Sequence, residues 1–127
     1  MIGALKLGLA GVLVASVMGV GTASAKEGDI IKTGKCSGAS TWKLKLSPEN
    51  GKIEVEFVVD QNVVGDTWRV AFKDNGVLVF SGRAVTQAPS GSFEIRKVIA
   101  DRAGPDNIVA KARNLRTDEV CRGSATF

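Results

Sequence analysis

Residues 41–59 read T-W-K-L-K-L-S-P-E-N-G-K-I-E-V-E-F-V-V, and they constrain the fold more than any other stretch. In the first arm Trp42, Leu44 and Leu46 alternate with Lys43 and Lys45. In the second, Ile53, Val55 and Phe57 alternate with Glu54 and Glu56. Period-two alternation marks a strand with one buried and one wet face. The connector S-P-E-N-G is turn chemistry, because Pro pre-sets φ and Asn-Gly tolerates positive φ. A four-residue loop between Ser47 and Lys52 sets Leu46 opposite Ile53, Leu44 opposite Val55 and Trp42 opposite Phe57. The same register sets Lys45 opposite Glu54 and Lys43 opposite Glu56, so one alignment satisfies both faces. A slip by a single residue would turn the lysines onto the buried face.

The rest of the chain repeats the pattern in shorter pieces. Ile30 and Ile31 supply the apolar content of a first strand over 29–36. Across 67–73, Trp68, Val70 and Phe72 alternate with Arg69 and Lys73. Asp74-Asn75-Gly76 then signals a hairpin, and its return strand over 77–85 has two readings. A two-residue Asn-Gly turn puts Val77 and Val79 with the aromatic face. A three-residue loop with a bulge at Gly76 puts Leu78 and Phe80 there instead, and is preferred because it buries Phe80. Three more strands follow over 92–99, 107–114 and 119–127. Ile108, Ala110 and Ala112 face inward in the second of these, and Cys121, Gly123, Ala125 and Phe127 share a face in the third. Frequent turn signals and the lack of any helical period predict an all-β chain, an immunoglobulin-like antiparallel sandwich of about 7–8 strands.

The first residues have a different character. Lys6 is followed by an uncharged, Gly- and Ala-rich run to Ala25, which ends in the A-x-A pattern Ala23-Ser24-Ala25. This is the form of a secretory signal peptide over 1–25, cut after Ala25 to leave a single domain over 26–127. Its composition favours removal over a permanent anchor, so no stable membrane span is expected after cleavage. The protein is therefore expected to be secreted. Lys6 is the only charge in 1–25, so the net charge falls from +4 to +3 on removal. That mild excess, without a basic run, argues against nucleic-acid binding. Cys36 and Cys121 are the two cysteines. In an exported protein they are expected to form a disulfide between the first and last strands.

Four segments carry a resemblance: G-K-C-S-G-A-S-T-W-K-L-K from Gly34, D-T-W-R-V from Asp66, A-P-S-G-S-F from Ala88 and C-R-G-S-A-T-F from Cys121. Together they make nearly all of 26–127 resemble a group of small secreted actinobacterial proteins of uncharacterised function. The resemblance implies a secreted β-sandwich and no particular activity.

Catalytic constellations are hard to build from these residues. With no His, Ser-His-Asp and Cys-His sites are excluded. Glu54 and Glu56 form the obvious acid pair for glycoside hydrolysis, but their alternation with apolar residues reads as a solvated strand face. Asp60, Asn62 and Asp66 offer oxygen ligands without the Gly and Glu of an EF-hand, and turn formation accounts for them better. No cofactor and no metal are expected. Trp42 and Trp68 fall on the apolar face and read as core rather than as a sugar platform.

Loops remain. In an immunoglobulin-like topology, 61–66, 86–91 and 115–118 gather at one end. That end would carry Val63, Val64, Gln87, Pro89, Arg113 and Arg116, apolar tips with a polar rim of the kind that makes a contact patch. The alternative is that Val63 and Val64 plug the end of the sandwich. The expected function is a secreted, non-enzymatic binding module, with a cell-wall polymer or another extracellular protein as its partner. The rival readings are an inhibitor of an extracellular hydrolase and, less favoured, a small-ligand carrier.

Overall fold

The computed structural model describes residues 27–127, so the expected signal peptide lies outside the described residues. Eight strands are present: β1 Ile30–Lys35, β2 Thr41–Glu49, β3 Lys52–Asp60, β4 Thr67–Asp74, β5 Val77–Val85, β6 Ser92–Ala100, β7 Asn107–Asn114 and β8 Val120–Thr126. They form two antiparallel sheets, β1-β2-β3-β6 and β5-β4-β7-β8, with no helix among the described residues. The alternation predicts the faces correctly. Leu44, Leu46, Ile53, Val55 and Phe57 meet Trp68, Val70, Phe72, Ile108 and Ala110 between the sheets, all fully buried.

The central hairpin keeps those faces but not the expected register. Glu49 pairs with Lys52 around a two-residue Asn50-Gly51 turn, so Leu46 faces Val55, Leu44 faces Phe57 and Trp42 faces Val59. Asn50 and Gly51 both have positive φ, 50° and 77°, as the favoured tight hairpin turn requires. Pro48 belongs to the strand rather than the turn. The ladder of β1 ends at the Ile30–Leu46 pair, so the N–H that Pro48 lacks has no strand partner to lose. The partners have moved by two residues, which preserves the side-chain faces. Glu56 therefore draws in both Lys45 (3.7 Å) and Lys43 (3.8 Å), and Arg96 of β6 reaches it at 3.2 Å.

The second hairpin combines the two sequence readings. Its turn is the two-residue Asn75-Gly76, and a register shift after Phe72 puts Phe80 opposite Phe72. Phe80 turns inward, 5.2 Å from the Phe72 ring, whereas Leu78 stays 56% exposed, contrary to expectation. The irregularity lies in the strand, not at Gly76, so turn type and Phe80 burial are both satisfied.

The two sheets are closed at both edges. At one, Lys97 of β6 places its ammonium 4.9 Å from the centre of the Phe80 ring. At the other, the expected disulfide joins Cys36, just after β1, to Cys121 of β8. Beside it Glu119 gathers the bend after β1: Oε2 accepts from the N–H of Gly38 (3.0 Å) and of Ser40 (2.9 Å), and Oε1 accepts from Ser40 Oγ (2.8 Å).

Candidate functional site

The connections 61–66, 86–91 and 115–119 meet at one end of the sandwich, and one carboxylate ties them together. Asp66 Oδ2 accepts from Gln61 Nε2 (2.7 Å), from Asn114 Nδ2 (3.0 Å) and from Arg116 Nη2 (2.7 Å). Its Oδ1 accepts from Arg116 Nε at 2.9 Å. Paired N–H donors of a guanidinium on one carboxylate are among the strong protein hydrogen bonds. Arg116 first, then Asn114 and Gln61, hold the Asp66 carboxyl far below the usual carboxylate range.

The backbone completes the brace. Asp66 donates its N–H to Thr86 Oγ1 (3.0 Å), and Thr86 returns its own N–H to the Asp66 carbonyl (3.0 Å). Gly65 donates to the Thr86 carbonyl at 2.9 Å, and Leu115 to the Thr67 carbonyl at 2.9 Å. The carbonyl of Gly91 accepts from both Gln61 (3.0 Å) and Asn62 (3.1 Å). Gly91 sits at a φ of 72°, and a Cβ there would strike the Val63 backbone. Only glycine allows the first two connections to lie this close. Asn114, fully buried, turns the third: its Oδ1 accepts from Arg116 N (2.8 Å) and Thr117 N (3.0 Å). Trp68 donates Nε1–H to Gln61 Oε1 at 3.0 Å, which links the brace to the core.

The residues expected to form a contact patch are distributed over this end. Val63 and Val64 are 43% and 55% exposed, so they do not plug the sandwich. Gln87 and Pro89 lie on the neighbouring connection, exposed, with Gln87 Nε2 donating to the Val85 carbonyl at 3.1 Å. Arg116 lies on the third connection with its charge directed at Asp66. Arg113 is instead on the outer face of β7, paired with Asp118 at 3.2 Å. A hollow of about 360 Å³ opens between Asp66, Arg83, Leu115 and Arg116.

No family, curated protein or solved structure matched this chain.

Sequence reasoning missed the centre of this end. From sequence Asp66 reads as a turn former with a weak claim on calcium, whereas its partners in the fold are Gln61, Asn114 and Arg116. Among the described residues no group of acids or cysteines is placed to hold a metal ion. Asp60, far from joining Asp66, ends β3 between Thr41 and Ser92.

Proposed function

We propose that the chain is an exported, non-enzymatic binding module whose contact surface is the loop end braced by Asp66. One observation carries this reading: exposed Val63 and Val64 ride on a connection whose two neighbours are fixed by Asp66, Thr86 and Gly91. Apolar tips on a preorganised frame bind with less loss of loop entropy than mobile ones.

The strand order supports an immunoglobulin-like sandwich. β5-β4-β7-β8 follows the order C′-C-F-G of that fold and β2-β3-β6 the order A-B-E, with β1 as an added edge strand. Export is supported by the signal-like residues 1–25 and by the disulfide, which suits an oxidising compartment. The resemblance to small secreted actinobacterial proteins fits the same reading. The partner is a cell-wall polymer or another extracellular protein. Inhibition of an extracellular hydrolase is the second reading, favoured by the same rigid display, because an inserted loop gains from being ordered in advance.

Pull-down from culture supernatant, with the wild type and a V63D/V64D variant, tests both readings. Retention on purified cell wall or capture of a surface protein, lost in the variant, supports the module. A captured hydrolase whose activity falls supports inhibition. Equal capture by both proteins would remove the loop end from consideration, and turnover of a substrate panel would overturn the non-enzymatic reading.

A further inference from the structure

The outer face of the second sheet concentrates positive charge. Arg69 and Lys73 of β4, Arg83 of β5, Lys111 and Arg113 of β7 and Arg122 of β8 all occupy its outward positions and are exposed. No Asp or Glu holds an outward position on these strands. These six charges exceed the net +4 of the whole chain. The outer face of the first sheet behaves differently, interleaving Lys43, Lys45 and Arg96 with Glu54, Glu56 and Glu94.

The register places these cations against one another. Arg83, Arg69 and Arg113 stand directly opposite across β5, β4 and β7, and Lys111 stands opposite Arg122 across β7 and β8. Like charges directly opposite destabilise a sheet. Within the described residues, only Arg113 of the set forms an ion pair, with exposed Asp118 at 3.2 Å. Facing cations left without acids depart from the rule that local choices support the fold, and such departures are expected at functional sites.

Between the charged heads the floor is low. Ala71 faces Ser81 on one side and Lys111 on the other. Two hollows adjoin over Ala71, one of about 220 Å³ bordered by Arg69, Lys111 and Arg113, the other of about 570 Å³ bordered by Lys73, Lys111 and Arg122. Neighbouring strands lie about 4.8 Å apart and alternate residues about 7 Å apart. Cations therefore recur along the trough at intervals comparable to a monosaccharide repeat.

We propose that this face binds a linear anionic glycan, a polysaccharide chain carrying sulfate, phosphate or carboxylate groups along its length. Arginine forks match such oxyanions in a bidentate way. The low floor over Ala71 between raised cations suits a single extended chain, and preferential binding to anionic vesicles is an outcome that would overturn the proposal. The four strands present no aromatic side chain outward, so the stacking platform that single-stranded nucleic acid uses is missing. This surface shares Arg83 and Arg113 with the loop end, whereas Arg69, Lys111 and Arg122 on one side and Val63 and Val64 on the other belong to one surface alone, so the R69E/K111E and V63D/V64D variants test the two separately.

The test measures binding of the protein to heparin, a sulfated glycan, as salt is raised, with polyglutamate, phosphatidylglycerol vesicles and single-stranded DNA as competing probes. The wild type binds heparin preferentially, and its affinity falls roughly a hundredfold or more between about 50 and 200 mM salt as counterions are released. R69E/K111E and, independently, R83E/R122E weaken binding at least about tenfold at low salt. All four positions are exposed, and circular dichroism confirms the fold of each variant. K35E/K52E makes the same change in net charge on the first sheet and retains heparin binding, as does V63D/V64D. Equal losses in K35E/K52E would reduce the effect to net charge and overturn the proposal. So would the absence of heparin binding at low salt, or equal or tighter binding to any of the three competing probes.

Discussion

Arg116 holds Asp66 through two hydrogen bonds at once, Nε to Oδ1 at 2.9 Å and Nη2 to Oδ2 at 2.7 Å. The pair joins the third connection to the first, and Asp66 passes the constraint to the second through Thr86. Replacing Arg116 by Gln removes the guanidinium that does most to depress the Asp66 pKa. The carboxyl of Asp66 in R116Q is then expected to titrate closer to its ordinary value of 3.8, followed by carboxyl NMR. Amide exchange should accelerate at 115–118 while β2 and β3 stay protected. An unchanged Asp66 titration would show that Gln61 and Asn114 suffice.

The indole of Trp42 is wedged between two glycines, one from each sheet. A Cβ built on Gly34 would lie 2.6 Å from its Cζ2, and one on Gly123 would lie 2.5 Å from its Cζ3. Neither glycine has a positive φ, so both are there for space rather than for conformation. Gly123→Ala is therefore expected to destabilise the fold by about 1–3 kcal/mol through overpacking. Urea unfolding measures this directly. In a Trp42→Ala background the same substitution should cost little, because the clash has been removed. A penalty of equal size in both backgrounds would place its origin elsewhere.

The faces of β2, β3, β4 and β7 were legible from alternation, because burial of Trp68, Val70 and Phe72 needs only a period of two, whereas the irregularity after Phe72 left Leu78 of β5 exposed against expectation. Register was less legible. The place of Pro48 depends on where β1 stops, and that is a property of a neighbouring strand rather than of the hairpin itself. Asp66 was illegible for a related reason: Gln61 is close in sequence, but Asn114 and Arg116 reach it only once β4 and β7 pair. The basic face was hidden likewise. Arg83, Arg69 and Arg113 are scattered along the chain and meet only through the strand order, so the absence of a basic run concealed a basic surface.

The disulfide closes the edge at which β1 meets β8 and spans a sequence separation of 85. Its loop is long, so most of the unfolded chain is constrained. Replacing Cys36 and Cys121 together by Ala is expected to lower unfolding free energy by about 2–5 kcal/mol. The wedge at Trp42 and the hydrogen bonds of Glu119 remain at that edge, so the variant should still fold, with β1 the first strand to exchange its amides. In the unaltered protein, the intact mass should be lower than the reduced form by the hydrogens lost on oxidation. A mass equal to the reduced form would contradict the bridge.

Two carboxylate sites at opposite ends of β4 should make stability depend on pH in opposite senses. Asp66 precedes β4, and Asp74 ends it, completely buried beside Asp106. Burial first, and then the Asp106 carboxylate, push Asp74 up to about 6, although Arg102 Nε lies 3.5 Å from its Oδ2. Asp101 is pushed up as well, by the neighbouring Asp106 carboxyl first and then by burial. The folded chain thus holds the Asp74 proton more tightly than the unfolded chain, where it titrates near 3.8. That contribution is complete below 3.8 and is lost as pH rises through about 6. Asp66 has the reverse sign: its folded pKa is depressed, so its contribution is present above 3.8 and declines as pH falls. Unfolding free energy measured against pH should therefore rise out of the strongly acid range and then decline towards neutrality. Asp74→Asn keeps the shape of the side chain and removes its titration. It should flatten the decline between 3.8 and about 6. A decline that persists in D74N would assign the titration to another group.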